Sequence, residues 1–151
     1  MRKRVTDWTV YKHKGKQVFN EKEFIESTGN YKEVFVDLVF MNKLFEARKL
    51  ADVSFSITSG NRSVEFNELK KGSPNSDHLF GNIRDKKGEM QMRLTCGVDI
   101  KIQNDHHRFK IIKACMDAGL NRFGTYPNQP NIIHVGLDVY NDADVFWHRV
   151  G

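Results

Sequence analysis

The chain has 151 residues, 39% of them hydrophobic, with 24 basic and 19 acidic side chains and a formal charge of +5. That length suits one domain with a core of its own rather than a small stapled scaffold, and two cysteines, Cys96 and Cys115, make no disulfide framework and read as buried thiols. No apolar run approaches the ~20 residues of a membrane span, and Arg2-Lys3-Arg4 is not followed by the apolar segment of a secretory signal, so synthesis in the cytoplasm is expected. The positive balance favours anionic partners: nucleic acid, acidic lipid surfaces or a bacterial cell wall. The basic residues are scattered outside Arg2–Arg4 and Lys12–Lys16, with no stripe of interleaved aromatics, so nucleic acid is not the expected partner.

Residues 1–18 are polar and read as a loose N-terminal arm with one short strand around Trp8–Tyr11, ahead of a domain over 19–151. Asn20 and Glu23 form a capping-box pair for a short helix ending before Gly29. Glu33 to Ala51 carries the strongest helical period, with Val36, Val39, Phe40, Leu44, Ala47 and Leu50 on one face. Val53 to Ile57 alternates like a half-buried strand, and Ser59-Gly60-Asn61 ends it with turn chemistry. A short helix over Ser63–Leu69 and a loop to Asp77 follow.

Gly81–Arg84 and Met90–Leu94 read as a hairpin around Lys86-Lys87-Gly88, and Val98, Ile100 and Ile102 alternate as a further strand. Asp105 to Gly119 has the helical period through Phe109, Ile112, Cys115 and Met116, with Gly119 as C-cap. Asn131–Leu137 is an apolar strand, and Val145–Trp147 a shorter one. Helices and strands without regular βαβ alternation indicate an α+β fold with a mainly antiparallel sheet flanked by helices.

Three side chains fall in or beside these strands and turns: His78 in Ser76-Asp77-His78-Leu79-Phe80-Gly81, Asp99 in Gly97-Val98-Asp99-Ile100, and His134 in Ile132-Ile133-His134-Val135. Two neutral imidazoles and a carboxylate are a usual ligand set for catalytic zinc, which keeps a fourth position for water. A fold that gathers them makes a metal-dependent hydrolase. His13, His106, His107 and His148 read as surface residues, and Trp147 as either cleft wall or core.

The order of motifs resembles the zinc D-alanyl-D-alanine carboxypeptidase and L-alanyl-D-glutamate peptidase family, whose fold is shared with the hedgehog signalling domain. Phe19–Ser27 resembles the family's opening segment. Leu44-Phe45-Glu46-Ala47-Arg48 then stands for its helix end, Ser59-Gly60-Asn61-Arg62-Ser63 for its Ser-Gly-x-Arg-Ser turn, and Asn67 follows. Ser76, His78 and Gly81 keep the Ser-x-His-x-x-Gly register, and Ile132–Val135 matches the closing Phe-Ile-His-Val strand. The likeness runs over about residues 19–147.

The chain departs from the family pattern twice. Asp85 has the family's interval from His78, but it precedes a turn, whereas Asp99 has the strand context. Asp99 is therefore preferred as third ligand, with residues 82–96 read as an inserted hairpin and Asp85 left as the alternative. The family's catalytic carboxylate lies three residues before the last histidine or two after it, and Asn131 and Gly136 stand there. Asp138 could take the role if the strand bulges at Gly136.

The resemblance thus implies Zn2+ held by His78, Asp99 and His134, with Arg62 and Asp138 as catalytic residues and Arg62 and Ser76 binding substrate. It implies a monomeric metallopeptidase acting on peptidoglycan stem peptides, as a D,D-carboxypeptidase or an L-alanyl-D-glutamate endopeptidase, in the manner of a phage or prophage endolysin. The alternative is a hedgehog-like zinc-binding module without turnover. A basic nucleic-acid-binding protein is the more distant rival.

Overall fold

The computed structural model describes residues 1–26, 32–85 and 87–149. Its centre is a five-stranded sheet in the order β3 (Ser56–Ser59), β6 (Gly97–Lys101), β8 (Gln129–Gly136), β7 (Arg122–Tyr126), β9 (Val145–His148). The pairings are antiparallel except for β7 with β9. Two small hairpins stand apart from it, β1 (Lys12–His13) with β2 (Lys16–Gln17) and β4 (Gly81–Arg84) with β5 (Met90–Arg93). The helices are α1 (Leu38–Ala51), α2 (Val64–Leu69) and α3 (Asp105–Asp117). The α+β expectation holds at this level.

Alternation along the strands separates two faces. Val98, Ile100, Ile133, Val135 and Phe123 join the hydrophobic core with residues of α1 and α3. Asp99 and His134, one step out of phase, point to the other face. One register row crosses the whole sheet: Ser59 opposite Asp99, Asp99 opposite His134, His134 opposite Gly124, and Gly124 opposite Trp147.

Five expectations are corrected. The first helix begins at Leu38, not Glu33, because Val34 and Val36 are buried ahead of it, Val36 bridging to Thr95, and Asp37 then caps the helix by accepting from the Phe40 N–H. Its buried face is Phe40, Met41, Leu44, Ala47 and Ala51, which leaves Val39 and Leu50 exposed. The α3 face is likewise rotated: His107, Ile111, Ala114 and Cys115 are buried, while Phe109 and Met116 face solvent. Finally, residues 1–18 do not hang loose. Val5, Trp8 and Tyr11 lie in the main core, and Trp8–Val10 is a 3-10 turn rather than a strand.

The capping box at Asn20 and Glu23 is present on a 3-10 helix over Glu21–Phe24. The expected helix end before Gly29, the end of the Phe19–Ser27 segment and Lys86 of the hairpin turn lie outside the described residues. Cys96 and Cys115 are free and buried. No helix among the described residues is long and apolar enough to cross a membrane.

Candidate metal centre

His78, Asp99 and His134 meet. One ligand atom from each lies within 4.8 Å of the others, and all three residues are buried. Asp99 and His134 come together because β6 and β8 pair them directly. His78 is brought over them by a loop tied down at several points. The His78 N–H donates to Ser76 Oγ (3.2 Å), its carbonyl accepts from the Arg62 N–H (2.9 Å) and from Thr95 Oγ1 (2.7 Å). The Arg93 guanidinium, at the end of β5, donates to the Ser76 carbonyl (3.1 Å).

Hydrogen bonds set the ring orientations. His78 Nδ1 donates to the Gly60 carbonyl at 2.8 Å, so the lone pair lies on Nε2. That Nε2 is buried without a hydrogen-bond partner and stands 3.3 Å from Asp99 Oδ1. His134 Nδ1 lies 3.1 Å from the same oxygen, and its Nε2 donates to Asp77 Oδ2 at 3.0 Å. Two ligands of one tetrahedral zinc, each ~2.0–2.1 Å from it, stand ~3.3 Å apart. An orphaned imidazole nitrogen, a second imidazole nitrogen and a carboxylate at these separations fit that ion.

The charges around the group are strongly coupled. Burial opposes ionisation of Asp99, yet His78 and His134 outweigh it and hold the carboxyl far below the usual range. Burial above all, with the nearby charges of Arg62 and His134, depresses His78 against the pull of Asp99. Burial also acts to lower His134, but the hydrogen bonds to Asp77 and Asp99 prevail and raise it to about 9. In the absence of a cation, a proton on His134 takes up part of the negative charge of the two acids.

A sequence model of one family, Peptidase M15, matches residues 17–136, a span that includes all three of these side chains. The chain belongs to the peptidase M15 family. That is the family of the zinc D-Ala-D-Ala carboxypeptidases, and its zinc dependence agrees with a buried His-Asp-His group that can hold a metal. No curated protein matches the chain.

The two histidines of the group open onto a cleft of about 340 Å³ lined by Arg62, Ser76, Asp77, His78, Arg122, Tyr126, His134, Trp147 and Arg149, among others. Arg62 reaches both features: Nε donates to Ser59 Oγ (3.0 Å), and Nη2 stands 3.5 Å from Asp99 Oδ2. Trp147 forms a wall with its ring 5.5 Å from that of His134, and the Arg149 guanidinium lies over the Trp147 ring at 4.5 Å. Gly124 makes the room, since a Cβ there would lie 2.1 Å from the Trp147 ring.

Two acids expected as candidates stand elsewhere. Asp85 sits at the hairpin turn, where it accepts from the Lys87 and Glu89 N–H groups, and it is not one of the three residues of the group. Asp138 is exposed and does not line the cleft. Gly136 pairs in regular register with both Gly97 and Arg122, with no bulge there to turn Asp138 inward. The expectation that His107 is solvated also fails. It is buried, accepting from the Gln103 N–H and donating to the Ser54 carbonyl.

Four contributors escaped the sequence reading: Asp77, Arg122, Tyr126 and Asn141. The Tyr126 hydroxyl donates to Asp99 Oδ1 at 3.0 Å. Asp77 stands beside His78 in the chain. Its adjacency to a candidate ligand was the one available signal.

Proposed function

We propose that this M15 protein is a zinc peptidase acting on peptidoglycan stem peptides, with His78 Nε2, Asp99 and His134 Nδ1 as the metal ligands and a hedgehog-like architecture around them. The convergence of those three donors within the family-matched span carries the reading. Zinc held there would supply an activated water near neutral pH and a Lewis acid for the scissile carbonyl. Arg62, Arg122 and Arg149 make the cleft cationic, which suits the carboxylates of a stem peptide. Arg62 binds substrate and orients Asp99, and Ser76 holds the His78 loop at the cleft edge. The bond cut is of the D-Ala-D-Ala or L-Ala-D-Glu type, and the charge of +5 suits work on an anionic wall, as in a phage or prophage lysis enzyme.

A second reading, a hedgehog-like module that holds zinc without turnover, is favoured by one observation. Asp77 is the one carboxylate among the described residues that line the cleft, and both its oxygens are engaged. Purified peptidoglycan separates the two. Release of new amino termini or of D-alanine, abolished by chelator and by His78→Ala, supports the peptidase. Stoichiometric zinc with no product from any wall type leaves the binding module.

A further inference from the structure

Asp77 is a buried acid beside the proposed ligands that family likeness did not single out. Its Oδ2 accepts from His134 Nε2 (3.0 Å) and from Arg122 Nε (2.9 Å), and its Oδ1 accepts from Asn141 Nδ2 (2.8 Å). Its carbonyl accepts from the Cys96 N–H at 2.9 Å, which pins it to the chain entering β6. Asn141 is itself anchored to the Asn75 carbonyl at 2.7 Å.

The carboxylate lies in a socket built by two glycines. Gly97 of β6 and Gly136 of β8 are directly paired. A Cβ on Gly97 would stand 2.5 Å from Asp77 Cβ and 2.8 Å from His134 Cε1. A Cβ on Gly136 would stand 2.7 Å from Asp77 Oδ2 and 3.2 Å from His134 Nε2. Neither position leaves space for a side chain while Asp77 touches the ring.

We propose that Asp77 is the positioning residue of the metal centre, holding His134 with Nε2–H turned towards it so that Nδ1 faces Asp99 and His78. This rests on the reading of those three residues as zinc ligands. An ionised carboxylate only accepts hydrogen bonds, so it requires the proton on Nε2. A neutral imidazole carries one N–H, which leaves the Nδ1 lone pair for the ion. Arg122 and Asn141 fix the carboxylate in turn, and ring orientation by such a partner raises metal affinity.

Zinc affinity, measured by competition with a chromophoric chelator, tests this in wild type, Asp77→Ala, Asp77→Asn, His78→Ala and His134→Ala. Asp77→Ala is expected to bind zinc about 10- to 100-fold more weakly. Asp77→Asn loses less, because its amide oxygen still accepts from Nε2–H, and it carries the test if the alanine variant fails to fold. In protein loaded with cadmium-113, nitrogen coupling is expected to His134 Nδ1 in wild type, and that coupling is weakened or lost in Asp77→Ala. Wild-type affinity and unchanged Nδ1 coupling in the folded Asp77 variants overturn the positioning role alone, provided the histidine variants lose zinc. Zinc affinity unchanged in His78→Ala and His134→Ala, or no zinc uptake by wild type, overturns the metal centre and this proposal with it.

Discussion

Asp99 is held by more partners than any other acid at the centre: Tyr126 and both imidazoles meet one oxygen, and Arg62 the other. Its replacement by alanine is expected to empty the protein of zinc, while Asp85→Ala leaves one equivalent bound. Metal analysis after gel filtration reads both. The proton on His134 has a pH signature. Burial acts against it, but Asp77 and Asp99 raise the folded-state value to about 9, above the ~6.5 of an unfolded histidine. The stability it contributes is fully present below pH ~6.5 and is lost as pH rises through about 9. Chelator-treated protein is therefore expected to melt at falling temperature across that window. Zinc-loaded protein should change less, since the ion then occupies the nitrogen. Such coupling is invisible in a sequence: His78, Asp99 and His134 could be picked out by residue type and strand context, whereas Asp77, Arg122 and Asn141 acquire their roles only through contacts between distant segments.

At the level of strands and helices, β7 shows where pattern reading fails. Arg122-Phe123-Gly124-Thr125-Tyr126 has a glycine at its middle, which weakens a strand signal. The structure explains that glycine, because the Trp147 ring packs onto it from β9. Gly124→Ala is expected to push Trp147 off the cleft wall, raising KM for peptide while zinc content stays at one equivalent. Steady-state kinetics with metal analysis check it. The α1 and α3 periods were legible as helices, and Phe40, Leu44, Ala47 and Cys115 of the expected faces are buried, but the edges of those faces were not legible. Leu50 and Phe109 read as core and are exposed, because tertiary contacts choose which side of a helix is covered. The β4–β5 hairpin was legible from its turn, and with it the separation of Asp85 from Asp99.

Across the whole molecule, the polar N-terminal segment hid its anchors. Trp8 packs against Tyr11 and Phe24 (ring centroids 5.8 and 4.9 Å), and Tyr11 donates to Asn42 on α1 at 3.0 Å. Trp8→Ala is expected to cost about 3–5 kcal/mol, the range for a buried aromatic, and deletion of residues 1–18 to abolish cooperative unfolding; denaturant melts measure both. The pairing of Asp99 with His134 has a wider consequence. Side chains alternate from face to face along a strand, so a slip of β6 against β8 by a single residue would put acid and imidazole on opposite sides. An alignment off by one residue cannot then chelate. A metal ion that binds acid and imidazole together would draw a refolding mixture towards the correctly threaded chain, and would then proofread strand alignment.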